Sequence, residues 1–570
     1  MKKLIPLLLI CALLCGCGSE APQPPTDPTT ETTPAPENIP HPALTGMTEA
    51  EIPYVSRFDG QTYIELSDEG IKVSGGQETT VTLTHDIIYY EDRDAYESGN
   101  PYGEGGKADK HTADEAAAHT VVNITEPGAY LLTGKLSTGQ IRIDLGEDAY
   151  DDPNAVVELI LQDADLTCTV APAILFLNVY ECDGNWSEDT AKADVDTTAA
   201  GANLILRGEN TVSGSYVAKI YKDKDGEKKL WKQDGAIYSY MSMNVFGPGK
   251  LTLFSQNEGL DSELHLTVCG GDIAIYAQND GINTNEDGVS VTTIRGGSLH
   301  IIAGLGAEGD GIDSNGYLVI RGGTVVSSAH PAADAGLDSD LGSYVHGGTV
   351  IALGSTMDWA ESESDQVTMN LQFSQQTTGS VVLVNEQGEV VFAYDPAADE
   401  YVGEHRRYYT GAVISCPGFV QEQTYQLYVG STVNGSEVGG VYDVATVTAY
   451  TGGTQMAYTG SDLPKGPGGF GGGRPPQDQR PEGGPGGKTP EFPDGMPEFP
   501  EGERPEFSGE GMSGFPGGEM PGGGAPEEPS GQFPGGFGGG ARPDDATGEA
   551  NTQFYLFDKV NAFSGIIPVT

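Results

Sequence analysis

A short glycine-containing phrase recurs through the middle of the chain and limits the possible folds more than any other feature. Each copy starts with an acidic residue and a glycine, as in Asp280-Gly-Ile-Asn-Thr. Between copies, a glycine pair precedes alternating apolar residues, as in Gly270-Gly-Asp-Ile-Ala-Ile. The phrase glycines are 24, 22, 30 and 25 residues apart, at Gly235, Gly259, Gly281, Gly311 and Gly336. Short strands repeating at this period predict an all-β fold, a β-solenoid.

The same repeat predicts which side chains face the interior. Side chains alternate along a strand, so the third and fifth positions of each phrase share one face. These positions hold an apolar residue and a small hydroxyl, as in Leu260 and Ser262. The fourth and sixth positions then face outward. They carry Asp261, Asn283, Asp313 and Asp338, and Glu263, Asn285, Asn315 and Asp340. The first position carries Asp234, Glu258, Asp280 and Asp310, with Asp334 one place early in the last copy.

Stacked acidic side chains require a physical explanation. Equivalent residues of successive repeats lie about 4.8 Å apart. Two carboxylates at that spacing repel by roughly 3–4 kcal/mol when the effective dielectric is about 20. Calcium–oxygen distances are about 2.3–2.6 Å, so one ion between repeats could take oxygens from both. The pattern therefore predicts Ca²⁺, and the alternative is that Asp and Asn form turns and hydrogen-bonded ladders without metal.

The charge of the whole chain excludes one class of partner. The 570 residues include 29 basic and 83 acidic side chains, which gives a net charge of −54. A nucleic-acid-binding protein needs a basic surface, so nucleic acid is not an expected partner.

The first residues indicate export. Residues 1–16 combine two lysines with an apolar run too short to cross a bilayer, which is typical of a signal peptide. Leu14-Cys15-Gly16-Cys17 resembles the lipobox of bacterial lipoproteins, which implies cleavage before Cys17 and lipidation of its thiol. The protein would then be anchored on the extracellular face of the bacterial cell membrane. An ordinary secretion signal is the alternative.

The state of two cysteines in the folded part is left undecided by the sequence. Cys168 and Cys182 could form a disulfide in an exported protein, or they could be buried free thiols.

The repeats resemble a bacterial family of carbohydrate-binding right-handed parallel β-helices, often lipoproteins, that bind cellulose-like and acidic polysaccharides with calcium in the helix. The resemblance covers roughly residues 64–460 and includes Asn203-Leu-Ile-Leu-Arg-Gly-Glu-Asn-Thr and Ser415-Cys-Pro-Gly-Phe. It implies a right-handed parallel β-helix. Carried over by position, it also implies calcium ligands among Asp261, Asp280, Asn283, Asp310, Asp313 and Asp338. The first and last phrases depart from the repeat and are doubtful sites.

Composition divides the chain into seven predicted regions. Pro- and Thr-rich or Gly- and Pro-rich stretches cannot bury a core, whereas alternating apolar residues predict strands. The regions are a signal peptide (1–16), a disordered tether (17–50), an N-terminal cap with first strands (51–145), the parallel β-helix (146–365), a C-terminal β module (366–460), a disordered insertion (461–549) and a C-terminal strand returning to the β module (550–570).

Three functions fit these features. The first is non-catalytic polysaccharide binding at the cell surface, with sugars stacking on the candidate aromatics Tyr276, Tyr317, Tyr344 and Trp359. The second is a calcium-dependent enzyme similar to pectate lyases, in which the aligned Arg295, Arg321 and His346 would supply a base. The third is an adhesin or assembly protein that uses the Gly/Pro-rich insertion.

Overall fold

The computed structural model describes part of the chain. The described ranges are 54–76, 78–91, 109–221, 228–229, 232–332, 334–355, 358, 360–361, 363–421, 423, 425–455, 457–458 and 553–556. The predicted signal peptide, tether and Gly/Pro-rich insertion lie outside them, as do Cys17 and Trp359, so these predictions remain predictions.

The secondary structure of the described residues is almost entirely β. The strands up to the middle of the chain are β1 (Gln61–Leu66), β2 (Lys72–Gly75), β3 (Val81–Thr84), β4 (Thr120–Ile124), β5 (Gly128–Leu136), β6 (Gly139–Asp144), β7 (Val157–Thr167), β8 (Ile174–Asn178), β9 (Ala202–Arg207), β10 (Glu209–Gly214), β11 (Ile220–Tyr221), β12 (Lys228–Lys229), β13 (Gly235–Ser239), β14 (Met243–Phe246), β15 (Lys250–Ser255), β16 (Glu258–Ser262), β17 (His265–Val268), β18 (Asp272–Ala277) and β19 (Ile282–Thr284).

The later strands follow the same rhythm and then lengthen. They are β20 (Val291–Ile294), β21 (Ser298–Ile302), β22 (Ile312–Ser314), β23 (Tyr317–Ile320), β24 (Thr324–Ser328), β25 (Gly342–Val345), β26 (Thr349–Gly354), β27 (Thr368–Thr377), β28 (Val381–Asn385), β29 (Val390–Tyr394), β30 (Tyr409–Ser415), β31 (Tyr425–Asn434), β32 (Glu437–Val438), β33 (Val441–Tyr442), β34 (Ala449–Gln455), β35 (Ala457–Tyr458) and β36 (Gln553–Leu556).

Helical structure is short. The helix α1 (Ala113–Ala117) starts at Thr112, whose side chain accepts from the Glu115 N–H while Glu115 bonds back to the Thr112 N–H, a capping box. Single 3₁₀ turns occur at Glu78–Thr80, Glu147–Asp151, Glu188–Thr190 and Gly403–His405. None of the helices in the described ranges is long and apolar enough to cross a membrane. The all-β prediction is confirmed.

Most strands belong to three stacks in which successive neighbours pair in parallel. The first stack contains β4, β6, β8, β13, β16, β19 and β22. The second contains β9, β14, β17, β20, β23 and β25. The third contains β10, β15, β18, β21, β24 and β26. One strand from each stack follows in order along the chain, so each sequence repeat contributes one strand to every stack.

Antiparallel pairing begins at both ends of these stacks. Near the N-terminus, β1 pairs with β2 and β3 pairs with β4 in antiparallel fashion. At the other end, β26 pairs with β30, β30 with β27, and β27 with β36. A separate antiparallel sheet contains β28, β29, β31, β32, β33 and β34. Within the described residues, strands β27 to β34 pair only in antiparallel fashion.

The interior of the repeats is apolar, as the alternation predicts. Leu260, Ile282 and Ile312 are fully buried and lie in register with one another across β16, β19 and β22. The hydroxyl residues two positions later are also buried, and Thr284 Oγ1 lies 2.8 Å from Ser314 Oγ. Buried hydroxyls that bond to one another cost little, so the fifth position can remain inside the apolar core.

The phrase glycines are required by the close approach of adjacent repeats. A Cβ on Gly281 would lie 2.6 Å from the Gly311 carbonyl oxygen and would also overlap the Ile301 side chain. The same carbonyl accepts the Ile282 N–H at 3.1 Å, so the backbone cannot move away without losing a ladder bond. The second glycine of each pair is required by its backbone conformation. Gly297, for example, has a φ of 85°, a left-handed conformation that favours glycine.

The cysteines do not form the disulfide that was left open. Cys168, Cys182, Cys269 and Cys416 are all free, and all but Cys182 are buried. They pack as small apolar side chains.

Substituting a phrase glycine should destabilise the fold strongly. We expect Gly281→Ala to lower the free energy of unfolding by about 1–3 kcal/mol, because its Cβ meets backbone that cannot yield. The control is Gly60→Ala, where a Cβ meets nothing within 4 Å. Denaturant titration measures both. Equal midpoints for the two variants would contradict this account of the repeat.

Candidate functional site

The outward positions of the first stack form a continuous acidic column. We define the carboxylate column as Glu258, Asp261, Asp280, Asn283, Asp310, Asp313 and Asp338. Asp261, Asn283 and Asp313 are direct register partners on β16, β19 and β22. Asp338 comes next, because Leu337 bridges to Ile312 in parallel. In-register pairing therefore assembles the column from separate phrases.

The residues before the phrase glycines form a second row beside the first. The Gly259 N–H donates to the Asp280 carbonyl and the Gly281 N–H to the Asp310 carbonyl, so Glu258, Asp280 and Asp310 are stacked. Asp280 Oδ1 accepts the Asp310 N–H at 2.6 Å. Asp310 Oδ1 accepts the Ala335 N–H at 2.5 Å. One oxygen of each of these carboxylates thus bonds to the next repeat.

The first phrase is shifted by one residue from the frame that the sequence suggested. Gly235, not Asp234, is the register partner of Glu258, and Tyr238 is the partner of Asp261. Ile237 rather than Ala236 therefore matches the interior Leu260. Asp234 lies earlier and contacts Lys232, with its carboxylate 2.5 Å from the ammonium group.

The column faces away from the apolar interior, yet much of it is withdrawn from solvent. Asp261 is 0% exposed, Glu258 3%, Asn283 6% and Asp280 8%. These four side chains are therefore buried polar groups rather than solvated surface charges. Burial of like charges without cations is costly, so the charge must be removed by protons or by a counter-ion.

Burial and mutual repulsion both act on the ionisation of the column. Burial raises the pKa of Asp313 to about 8 and that of Glu258 to about 7, and neighbouring carboxylates add to both shifts. The pKa values of Asp261, Asp280 and Asp310 are raised well above the ordinary range for the same two reasons. Without a counter-ion, the column holds protons at neutral pH.

We call the β16 end of the column its upper end and the Asp338 end its lower end. Three buried oxygens at the upper end accept no hydrogen bond. They are Glu258 Oε2, Asp261 Oδ2 and Asn283 Oδ1. The carboxyl groups of Glu258 and Asp261 interact directly, and the Asn283 side chain interacts with Glu258. Buried acceptors normally have a donor, so these three neighbouring oxygens would be satisfied either by shared protons or by a cation.

One oxygen of Asp261 and several polar groups beside the column belong to a hydrogen-bonded ladder. Asn285 Nδ2 donates to Asp261 Oδ1 at 2.7 Å, and Asn315 Nδ2 donates to the Asn285 carbonyl at 2.8 Å. Ser339 N–H donates to Asp358 Oδ2 at 3.0 Å at the lower end. The ladder expected from Asn side chains therefore exists, and it leaves the three upper oxygens unsatisfied.

The donor chemistry of the upper column suits a hard divalent cation. Two carboxylates and an amide oxygen are typical calcium ligands, and backbone carbonyls commonly complete such a site. No group of three or more His, Cys, Asp or Glu side chains within the described ranges is gathered as a closed metal-binding cluster. The fit to a cation therefore depends on a ligand set that combines carboxylates with the amide oxygen of Asn283. A cluster made only of His, Cys, Asp and Glu would not contain that oxygen.

The six ligands implied by the resemblance are brought together by the structure, and two other acids join them. Glu258 occupies the first position of its phrase, so the repeat contained the signal for it. Asp358 lies beside Asp338, and burial, followed by the Asp338 charge, raises its pKa to about 7. Asp358 lies outside the repeats, and the sequence carried no pattern that could identify it.

The predicted carbohydrate-binding aromatics do not form one surface. Tyr317 and Tyr344 belong to the second stack, with ring centroids 6.2 Å apart. Tyr276 belongs to the third stack, where its ring stacks on Phe254 at 5.2 Å and 17°. The structure therefore divides the described candidates between two faces, and Phe254 is an aromatic that the sequence reasoning missed.

The basic residues of the lyase hypothesis do align, and two of them are paired with a carboxylate. Arg295, Arg321 and His346 follow register partners at the ends of β20, β23 and β25. Arg321 Nη2 is 2.8 Å from Asp194 Oδ1, and His346 Nδ1 is 2.9 Å from Asp365 Oδ2. They belong to the second stack, whereas the carboxylate column belongs to the first.

Comparison with known proteins gives one family match. Residues 118–395 match the model of a family described as "Carbohydrate-binding domain-containing protein". A solved structure described as the polysaccharide lyase-like protein from C. thermocellum, gadolinium derivative, is 19% identical and covers 51% of this chain and 93% of its own, with a TM-score of 0.30. A likeness at that score supports no argument about fold or activity. No curated protein matches the chain.

The metal-free protein should have an unusual pH dependence. The folded state holds protons on carboxyl groups that the unfolded chain releases near pH 4, so it binds more protons than the unfolded state. Stability then falls as pH rises from about 4 to about 8. We expect the EDTA-treated protein to melt higher at about pH 5 than at about pH 8.

The control for this measurement removes two of the titrating groups. The double variant Glu258→Gln, Asp313→Asn should show a smaller difference between the two pH values. A melting temperature that rises steadily with pH in the metal-free wild type would contradict the buried, proton-holding column.

Proposed function

We propose that this chain is a non-catalytic polysaccharide-binding protein of the bacterial cell surface, lipid-anchored through Cys17. In this proposal the three stacks are the faces of a right-handed parallel β-helix, and Ca²⁺ binds along the carboxylate column. The glycan is of plant type, either cellulose-like or acidic and pectin-like. The observation that carries the proposal is the match of residues 118–395 to a carbohydrate-binding family, because this range contains nearly all of the parallel repeats.

The calcium part of the proposal rests on the orphaned oxygens. Glu258, Asp261 and Asn283 would hold the ion at the upper end, with Asp280, Asp310 and Asp313 neutralised along the same column. When bound, the ion supplies positive charge that replaces the protons. The residues of the chain position the oxygens, and their burial excludes competing water.

A binding role agrees with the pairing of the candidate catalytic groups. Arg321 and His346 each face an exposed carboxylate, at 2.8 Å and 2.9 Å. A base that abstracts a substrate proton needs a free lone pair within reach of the substrate. These carboxylate contacts favour a structural role for both residues at the edge of the second stack.

Removal of divalent cations should destabilise the protein. We expect EDTA to lower the melting temperature at about pH 8 and Ca²⁺ to restore it, because a ligand at 100 times its Kd contributes about 2.7 kcal/mol. Asp261→Asn together with Glu258→Gln should abolish most of the calcium response. Glu308→Gln is the matched control, since Glu308 is exposed. A melting temperature that EDTA does not change at that pH would contradict calcium binding at the carboxylate column.

The wild-type protein should be retained by polysaccharide without cleaving it. Affinity electrophoresis in gels containing hydroxyethylcellulose or polygalacturonate, with and without EDTA, measures retention. We expect retention in at least one gel, and we expect the chelator to weaken retention by polygalacturonate, because a chain with a net charge of −54 repels an acidic polymer unless a cation bridges the two. Retention in neither gel would contradict the binding function.

The same preparations distinguish binding from lyase activity. Incubation with polygalacturonate and Ca²⁺ should produce no ultraviolet absorbance of unsaturated uronates. A rise that disappears in Arg321→Ala would instead favour the enzyme.

A further inference from the structure

One solvent-facing aromatic lies on the outer face of the third stack. Strand β15 buries Leu251, Leu253 and Ser255 and turns Lys250, Thr252 and Phe254 outward. Phe254 is 44% exposed. An aromatic ring exposed in this way presents an apolar face on which a ligand can stack.

The ring is held rigidly from one side. It stacks on Tyr276, its register partner on β18. The Tyr276 hydroxyl donates to the Tyr401 carbonyl at 2.8 Å, and the His405 ring lies 5.7 Å from the Tyr276 ring. We call Phe254 and Tyr276 the aromatic platform. A platform that is already ordered loses little conformational entropy when a ligand binds.

The other side of the platform is bordered by short polar residues. Ser213 is the register partner of Phe254 on β10, and it carries no side chain long enough to cover a ring. Thr211 and Thr252 also face outward and are half-buried. The surface beside the exposed ring therefore offers hydroxyl groups at the level of the sheet.

The charges around the platform are paired. Lys250 Nζ is 3.5 Å from Asp272 Oδ2, and Tyr401 donates to Asp272 Oδ1 at 2.9 Å. Lys250 is therefore committed to a carboxylate. A uronate would therefore meet a cation that is already neutralised, and the net charge of the chain, −54, also disfavours an acidic polymer.

We propose that Phe254 is a sugar-stacking residue of this protein, and that the aromatic platform binds a hexopyranosyl unit of a neutral polysaccharide. The apolar C–H face of the sugar would lie on the ring, and its hydroxyls would bond to the neighbouring Ser213 and Thr252. Such a site combines an apolar aromatic surface with a few fixed polar groups, the usual composition of a small-ligand site. The inference rests on the proposed polysaccharide-binding function and specifies the residue and the neutral glycan class.

The test is affinity electrophoresis of the full chain in hydroxyethylcellulose gels. We expect Phe254→Ala to weaken retention about tenfold, equivalent to about 1.4 kcal/mol. Phe254→Trp should retain binding, because it preserves a flat apolar face. Leu83→Ala is the matched control, since Leu83 is an exposed apolar residue (49%) on β3. Melting temperatures of all variants report whether they fold.

Each other outcome overturns the inference in a recognisable way. If Phe254→Ala binds hydroxyethylcellulose as well as the wild type does, the aromatic platform is not the sugar-binding site. The proposed polysaccharide-binding function is then unaffected. Loss of polygalacturonate retention alone in that variant overturns the neutral class. No retention of the wild type in any glycan gel removes the proposed function together with the platform. A wild-type dimer that Phe254→Ala dissociates identifies the platform as a contact between copies.

Discussion

The structure depends on one constraint, the in-register parallel pairing of successive repeats, in which the glycine of one repeat closely approaches the backbone of the next. Gly281 can approach the Gly311 carbonyl only because it has no side chain. The same register brings Asp261, Asn283 and Asp313 into one column. Close packing of the backbone and crowding of the carboxylates are therefore two results of a single arrangement. A chain that relaxed the register to separate its charges would also lose its ladder bonds and its buried interior.

Two explanations of the acidic repeat were open from the sequence: the hydrogen-bonded ladder is present in the structure, and the calcium site is proposed on other atoms. Asn285 and Asn315 make side-chain bonds along the column, as a ladder requires. Glu258 Oε2 and Asp261 Oδ2 receive no donor although they are buried. Asn285 donates to the other oxygen of Asp261, Oδ1, and backbone N–H groups donate to one oxygen each of Asp280 and Asp310. A proton shared between Glu258 and Asp261, or a cation at the proposed calcium site, would satisfy the remaining oxygens.

The sequence predicted features that depend on the repeat itself and missed those that depend on other segments. The burial of Leu260 and Ile282 follows from alternation alone. The burial of Asp261 does not, because alternation places this residue on the outward face. The frame of the first phrase was wrong because Ile237 and Ala236 are both apolar and either could occupy the interior. Phe254 was missed because exposure of an outward residue depends on the short side chain of Ser213, on a strand about forty residues earlier.

The third stack is where the later part of the chain contacts the repeats. Arg407 is largely buried and donates to the carbonyls of Ala303, Gly304 and Ser328, and burial lowers its pKa to about 10. Tyr401 stacks on the ring of His300 at 4.0 Å. This segment holds Tyr276 in place, so the aromatic platform needs both parts of the chain, whereas the carboxylate column lies on the first stack. Because the two features lie on different stacks, stabilisation by a cation and contact with a sugar can be altered independently, and a variant that loses one while keeping the other is physically possible.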